Sequence, residues 1–407
     1  MSGDGAPKSR FAANTLHDQA VPNVLPAETH LAPEHDSDDS DDIETRPIRH
    51  AEPSFADAHA GDVADVAGVA SRLRAIAESF ASRGERVEAT LLEVFQKQAA
   101  PFADQCGDLS IKDAEDERLF FQADGYFAGK VVPDDAPATW RALETPLEVV
   151  DFYDPTDLFG DLADRLAEAY PSIGEPDDDH AGPCLRQLAE AFGAWAGSDR
   201  GASGLGEADL IERFEAAAVP LARKVGAVIF KDDEDERLSL ERDGFFLAQV
   251  VPEDDETGWR TLRTTDAILE FYSPAEIFEA LADALGKVYP AATDEDPAIA
   301  ANTLFELARL WREQALDAEA ALFDAFETAS AELFGALGEF VIVDDDDERL
   351  AITKDGQLTA RVLNRLTGSW RDLTSPDQLV QSYDPVDVFE DLVDALAESF
   401  PGTTRLA

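Results

Sequence analysis

The chain of 407 residues holds 86 acidic and 33 basic side chains, a formal net charge of −53, with 44% hydrophobic and 9% aromatic residues. That apolar share is ordinary for folded proteins and excludes wholesale disorder. No stretch approaches the ~18 uninterrupted apolar residues of a membrane span, and the N-terminus lacks the apolar core of a secretory signal, so a cytoplasmic chain with no membrane association is expected.

Residues 1–60 read as a disordered acidic tail. They hold Pro7, Pro22, Pro26, Pro33, Pro47 and Pro53 and the run Asp36-Ser37-Asp38-Asp39-Ser40-Asp41-Asp42, with no sustained apolar period. The same segment holds His17, His30, His35, His50 and His59. None forms an i, i+4 pair, and unordered ligands would carry the full ordering entropy, so a solvated tail is expected rather than a metal site.

Beyond the tail the chain repeats itself three times. Asp116-Glu117-Arg118-Leu119 returns at Asp235-Glu236-Arg237-Leu238 and Asp347-Glu348-Arg349-Leu350. Asp124-Gly125, Trp140-Arg141, Tyr153-Asp154-Pro155 and Phe159 recur as Asp243-Gly244, Trp259-Arg260, Tyr272-Ser273-Pro274 and Phe278, then as Asp355-Gly356, Trp370-Arg371, Tyr383-Asp384-Pro385 and Phe389. The spacing from Phe80 to Gly107 and from Trp311 to Gly338 is 27 positions, but from Phe192 to Gly226 it is 34, so the middle copy has seven extra residues, placed at 198–204. The expected domains are 63–174, 182–293 and 297–407, each the size of a small autonomous unit.

In chain order, one unit begins with a helix over Leu73–Ser82 and a second over Val87–Cys106, each with apolar residues at helical spacing, the second closed by Gly107. Short strands follow at 109–111, 119–122 and 126–132, the last two joined by Asp124-Gly125, a strong hairpin signal. Thr145-Pro146 and Asp154-Pro155 each pair an N-cap residue with proline at the first helical position. The fold class is therefore α+β: three tandem α-α-β-β-β-α-α repeats, each an antiparallel meander packed by helices.

The acidic segments 113–117, 232–236 and 344–348 lack the EF-hand spacing and read as solvated turns rather than Ca²⁺ or Mg²⁺ sites. Arg118, Arg237 and Arg349 sit beside four or five acids and are expected to neutralise them, with bidentate grip on a partner carboxylate as the other reading. Trp140-Arg141, Trp259-Arg260 and Trp370-Arg371 combine residue types enriched in binding hot spots. One Trp per unit, followed by a leucine, is nevertheless expected to anchor the core. Tyr153, Tyr272 and Tyr383 are expected to bond near a helix start.

His180, in the first linker, is the only histidine beyond the tail, so no Ser-His-Asp or Cys-His pairing can be built within a unit, and GxGxxG, GxxxxGK[ST] and HExxH are absent. Cys106 and Cys184 lack zinc or CxxC spacing and are expected as free thiols. Of the basic residues only eight are lysines, a depletion that, with the acidic excess, resembles the composition of cytosolic proteins of salt-in halophilic archaea. Such a surface repels itself in dilute buffer and is screened at molar salt. The expected function is a non-catalytic tandem-domain binding or scaffolding protein with a protein partner and no cofactor or metal; nucleic acid is disfavoured by charge. A structural component of a cell or virion, or an enzyme or regulator acting on a small ligand, are the alternatives.

Overall fold

A computed structural model of the chain describes residues 63–133, 139–170, 173, 176, 178–197, 206–252, 258–289, 296–365 and 367–401. The acidic tail expected over 1–60 lies outside the described residues. In chain order the elements are α1 (Val63–Cys106), β1 (Leu109–Asp113), β2 (Glu117–Phe121), β3 (Phe127–Val131), β4 (Arg141–Leu143), α2 (Pro146–Val150) and α3 (Pro155–Ala169). They continue with α4 (Asp178–Ala196), α5 (Glu207–Val225), β5 (Val228–Asp232), β6 (Glu236–Leu240), β7 (Phe246–Val250), β8 (Arg260–Leu262), α6 (Thr265–Leu269) and α7 (Pro274–Val288). The last set is α8 (Pro297–Leu337), β9 (Phe340–Asp344), β10 (Glu348–Ile352), β11 (Leu358–Asn364), β12 (Ser369–Leu373), α9 (Pro376–Leu379) and α10 (Pro385–Ser399). The architecture is α+β, with three separate four-stranded antiparallel sheets in sequential strand order, each followed by helices. Among the described residues no helix is long and apolar enough to cross a membrane.

The local signals act where the sequence places them. Gly125, Gly244 and Gly356 take φ of +87°, +87° and +83° in the hairpin turns, a conformation that L side chains rarely adopt. A Cβ there would also strike the second helix of the unit, 2.5 Å from Ala100 Cα in the first copy. The Thr145 hydroxyl accepts from the Glu148 amide and Glu148 reaches back, a complete capping box at α2. Asp154 and Asp384 cap α3 and α10 with Pro155 and Pro385 at the first helical turn, and Ser273 caps α7. Each meander has a fourth strand that the sequence reading did not assign. In β12 it contains the Trp-Arg motif, whereas β4 and β8 begin at the arginine directly after the tryptophan, and three residues are too few to show a period.

The larger difference concerns the first two helices of each unit. In the outer units they are fused: α1 runs 44 residues and α8 runs 41 without a break. Only the middle unit has the expected pair, α4 and α5, separated by the segment that contains the seven extra residues. A fused helix cannot return its N-terminal half to its own sheet. The N-terminal half of α1 packs instead on the third unit, where Val69, Leu73 and Ala77 join Phe323, Phe326, Phe389 and Leu392 in one core. Reciprocally, Ile299, Leu304, Leu307 and Trp311 of α8 enter the core of the first and second units. The two long helices run antiparallel: Phe80 meets Phe326 edge-on at 5.5 Å, and Trp311 Nε1 donates to Gln98 Oε1 at 3.0 Å.

The outer units thus exchange their first helices within one chain. The middle unit joins the same core through Trp195, which stacks on Trp311 with ring centroids 4.9 Å apart. The expected linker residue His180 lies in α4, its Nε2 3.0 Å from Asp296 Oδ2 at the N-cap of α8.

Candidate functional site

Each sheet packs one face against helices, and its tryptophan stands exposed on the other, where the small residues Ser239 and Ala351 are nevertheless buried. In the first, Leu119, Phe121, Phe127, Val131 and Leu143 face inward and are buried, while Arg118, Phe120, Lys130 and Trp140 lie on the opposite side. The expectation that the repeated Trp anchors the core is corrected here. Trp140, Trp259 and Trp370 are 39%, 50% and 42% exposed. The period-2 alternation explains the error: the leucine three positions on faces the core, so the tryptophan faces away. Other exposed apolar side chains share these surfaces, with Phe120 in the first sheet, and Ile229 in the second.

The three faces share a plan but not a charge pattern. In the first unit the Lys130 ammonium lies 4.8 Å and the Arg118 guanidinium 6.0 Å from the centroid of Trp140, while Arg118 Nε also meets Asp113 Oδ1 at 3.2 Å. In the third, Arg361 takes the place over Trp370 at 5.4 Å and pairs with Asp372 at 2.9 Å, while Arg349 pairs with Glu339 at 3.1 Å. In the second, Gln249 stands where Lys130 and Arg361 stand, and Arg237 is held bidentately by Asp232 at 2.8 and 3.2 Å. Arg141 and Arg260 turn to the other side of their strands. Arg141 meets Asp151 at 2.9 Å and lies over Phe152, and Arg260 meets Glu270 at 3.5 Å and lies over Phe271. Arg371 donates to Gln381 Oε1 at 3.1 Å. The fold thus brings Arg118 to Trp140 and sets Arg141, Arg260 and Arg371 in contacts away from the tryptophans.

The acidic segments form exposed turns between the first two strands of each sheet. Tyr153 and Tyr272 donate to Glu117 Oε2 at 3.2 Å and to Glu236 Oε2 at 3.0 Å, at a strand start rather than a helix start. Burial and the neighbouring carboxylate push both phenols well above their ordinary range. Cys184 is buried and Cys106 half-buried, both free thiols, and burial raises the Cys106 thiol to about 11.

A second cluster went unseen in the sequence. Where α1 and α8 cross, Glu88 and Glu319, equivalent positions of the outer units, are each 2% exposed. Asp154 and Asp384, the N-caps of α3 and α10, are half-buried at the same junction. Thr156 Oγ1 donates to Glu319 Oε1 at 2.7 Å, whereas Glu88 Oε1 and Glu319 Oε2 are buried without a hydrogen-bond partner. Desolvation first, then repulsion among the carboxylates, pushes Glu88, Glu319 and Asp384 well above the ordinary carboxylate range and Asp154 to about 7. Among the described residues no group of three or more His, Cys, Asp or Glu is arranged to hold a metal ion. Single carboxylates among 86 gave no signal; only the fused helices bring these four together.

The chain matches no protein-family model, and nothing among curated proteins or solved structures matches it.

Proposed function

We propose that this chain is a non-catalytic, multivalent binding protein that engages a protein partner through the tryptophan-bearing faces of its three sheets. One observation carries the reading: a tryptophan stands exposed at the equivalent place on all three faces. Tryptophan and arginine are among the residue types enriched in interface hot spots, and in the first and third units a cation lies over the exposed ring. Three faces on one chain convert modest affinity per site into avidity when the spacing fits the partner. The acidic surface suits a cytoplasm of high ionic strength, where a chain of charge −53 is screened. Such a protein gains thermal stability as KCl rises from dilute to molar.

The test is affinity capture with the full chain in molar KCl, comparing the parent with the triple variant Trp140→Ala, Trp259→Ala, Trp370→Ala. Surface truncations shift stability by only about 0.5 kcal/mol each, so the two melts stay close while the captured partner is lost from the variant. Equal recovery of the same partner by both proteins would overturn the reading.

A further inference from the structure

The junction where α1 crosses α8 has a local two-fold character. The antiparallel register that joins Phe80 to Phe326 and Gln98 to Trp311 sets Glu88 opposite Glu319. The N-terminus of α10 closes on α1 at Gly84: a Cβ there would lie 2.5 Å from Val386 Cγ2, 3.6 Å from Glu88 Oε1 and 3.7 Å from Leu322 Cδ1. On the opposite side the N-terminus of α3 reaches α8 through the bond from Thr156 to Glu319. Two exchanged helices and two helix N-termini therefore meet on buried carboxyl groups.

We propose that Glu88, Asp154, Glu319 and Asp384 form a proton-operated latch between the first and third units, closed when the carboxyls are protonated and loosened when they ionise. A protonated Glu88 supplies the O–H donor that its buried carboxyl otherwise lacks, and it removes an uncompensated charge from an apolar crossing. The half-buried Asp154 and Asp384 give the buried pair a path to solvent protons. Ionised, the four repel one another across the elements that hold the exchange together.

The carboxylates facing the cluster reinforce this, against the amides of Thr156 and Val386, which donate to Asp154 and Asp384 at 2.7 and 2.8 Å and favour their ionised form. From α1 comes Glu85, from α3 Asp157, and from α10 Asp387 and Glu390. The nearby bases are engaged elsewhere: Arg83 lies over the Phe80 ring at 5.7 Å, and Arg312 runs along Gly160 of α3. The direction follows from linkage. Carboxyls whose folded pKa is raised make the folded state bind more protons than the unfolded chain. Their contribution is fully present below the unfolded value of about 4 and is lost as pH rises through the folded values, which for Asp154 is about 7.

The experiment uses the full chain in molar KCl, where surface repulsion is screened but buried ionisation is not. Thermal melts are recorded from pH 5 to 8.5 for the parent, for Glu88→Gln/Glu319→Gln, and for the exposed control Glu234→Gln. The melting temperature of the parent and the control should fall across this range, and the double variant should lose about 3 °C or more of that fall. Equal slopes in all three would overturn the latch. Amide exchange on the unmodified chain gives a second readout. Protection at 84–90 and 315–322 should drop at pH 8 more than at 210–222 of α5, and a uniform change would overturn the proposal. A rise in the parent's melting temperature at pH 8 on adding CaCl₂ or MgCl₂, absent from the double variant, would also overturn it, in favour of a cation site.

Discussion

In the middle unit α4 packs on α5 and α7 of its own unit, and Phe192 meets Phe214 and Phe278 at 5.2 and 5.6 Å. In the outer pair the same contacts are made across units: Phe80 of α1 meets Phe326 and Phe389 at 5.5 and 5.7 Å, and Trp311 of α8 approaches Phe159 at 6.4 Å. The aromatic core of a unit is thus conserved in geometry while the chain segment that supplies it changes. What differs is seven residues. With them, the chain can reverse between the first and second helix. Without them Arg83-Gly84-Glu85-Arg86 stays helical, and the first helix projects beyond its own sheet toward the next available core. Helix exchange through a hinge too short to reverse is the familiar route to domain swapping, here closed within a single chain.

Deleting residues 198–204 is the strongest way to break this comparison. The middle unit would then match its neighbours, α4 and α5 would fuse, and the buried face of Leu185, Leu188, Phe192 and Trp195 would leave Phe214 and Phe278. Among the described residues no further unit is left to receive it, and a second copy of the chain would offer the missing core. Light scattering in molar KCl should show an oligomeric state above that of the parent. An unchanged mass with an unchanged melt would mean that the seven residues do not direct the packing.

How far this was legible in the sequence can be read from particular residues. The insert was visible as a spacing difference between Phe192 and Gly226, and Asp-Gly turns and Pro-led helix starts marked their elements because those signals are local. The fusion was not visible, because Leu73, Ile76, Ala77 and Phe80 have the same helical spacing whether the helix ends at Ser82 or continues. Which core a helical face enters is decided by the chain's ability to turn, and between Ser82 and Val87 the helix continues through Gly84, where it meets Val386 of the third unit. The exposed tryptophans were found but assigned to the wrong side, for want of the fourth strand. The carboxylate junction depended on tertiary pairing alone. Gln96 shows the same limit: Glu215 and Glu327 at its equivalents accept strand amides from Phe246 and Leu358, both at 2.8 Å, yet no sequence feature marks the role.

Trp311 sharpens the comparison at the next scale of effect. It is fully buried, belongs by sequence to the third unit, bonds Gln98 of the first and stacks on Trp195 of the second. Trp311→Ala should therefore cost about 3–5 kcal/mol, the usual range for emptying a large aromatic site. The loss should appear as one cooperative shift in calorimetry, because three units share the site. A separate early transition confined to the third sheet, with the rest unmoved, would instead mean that the exchange carries little energy.

The smallest expected effect is a contrast between two equivalent glutamates. Glu88 and Glu207 occupy the same place in the repeat, but Glu88 is buried at the crossing whereas Glu207 opens α5 and is exposed. Ser273 stands where Asp154 and Asp384 stand, its hydroxyl accepting from the Glu276 amide, so the middle unit has a neutral cap where the outer units have a carboxyl. Glu88→Gln removes a group whose charged form is disfavoured by burial first and by Asp384 next. The variant should match the parent near pH 5, where the parent's carboxyl is protonated, and exceed it in melting temperature at pH 8, where ionisation weakens only the parent. Glu207→Gln changes an exposed side chain and should move the melt by no more than about 2 °C at either pH. An equal pH-dependent gain in both variants would trace the effect to the loss of one negative charge from a crowded surface, and the difference between the hairpin unit and the exchanged pair would then lie in packing alone.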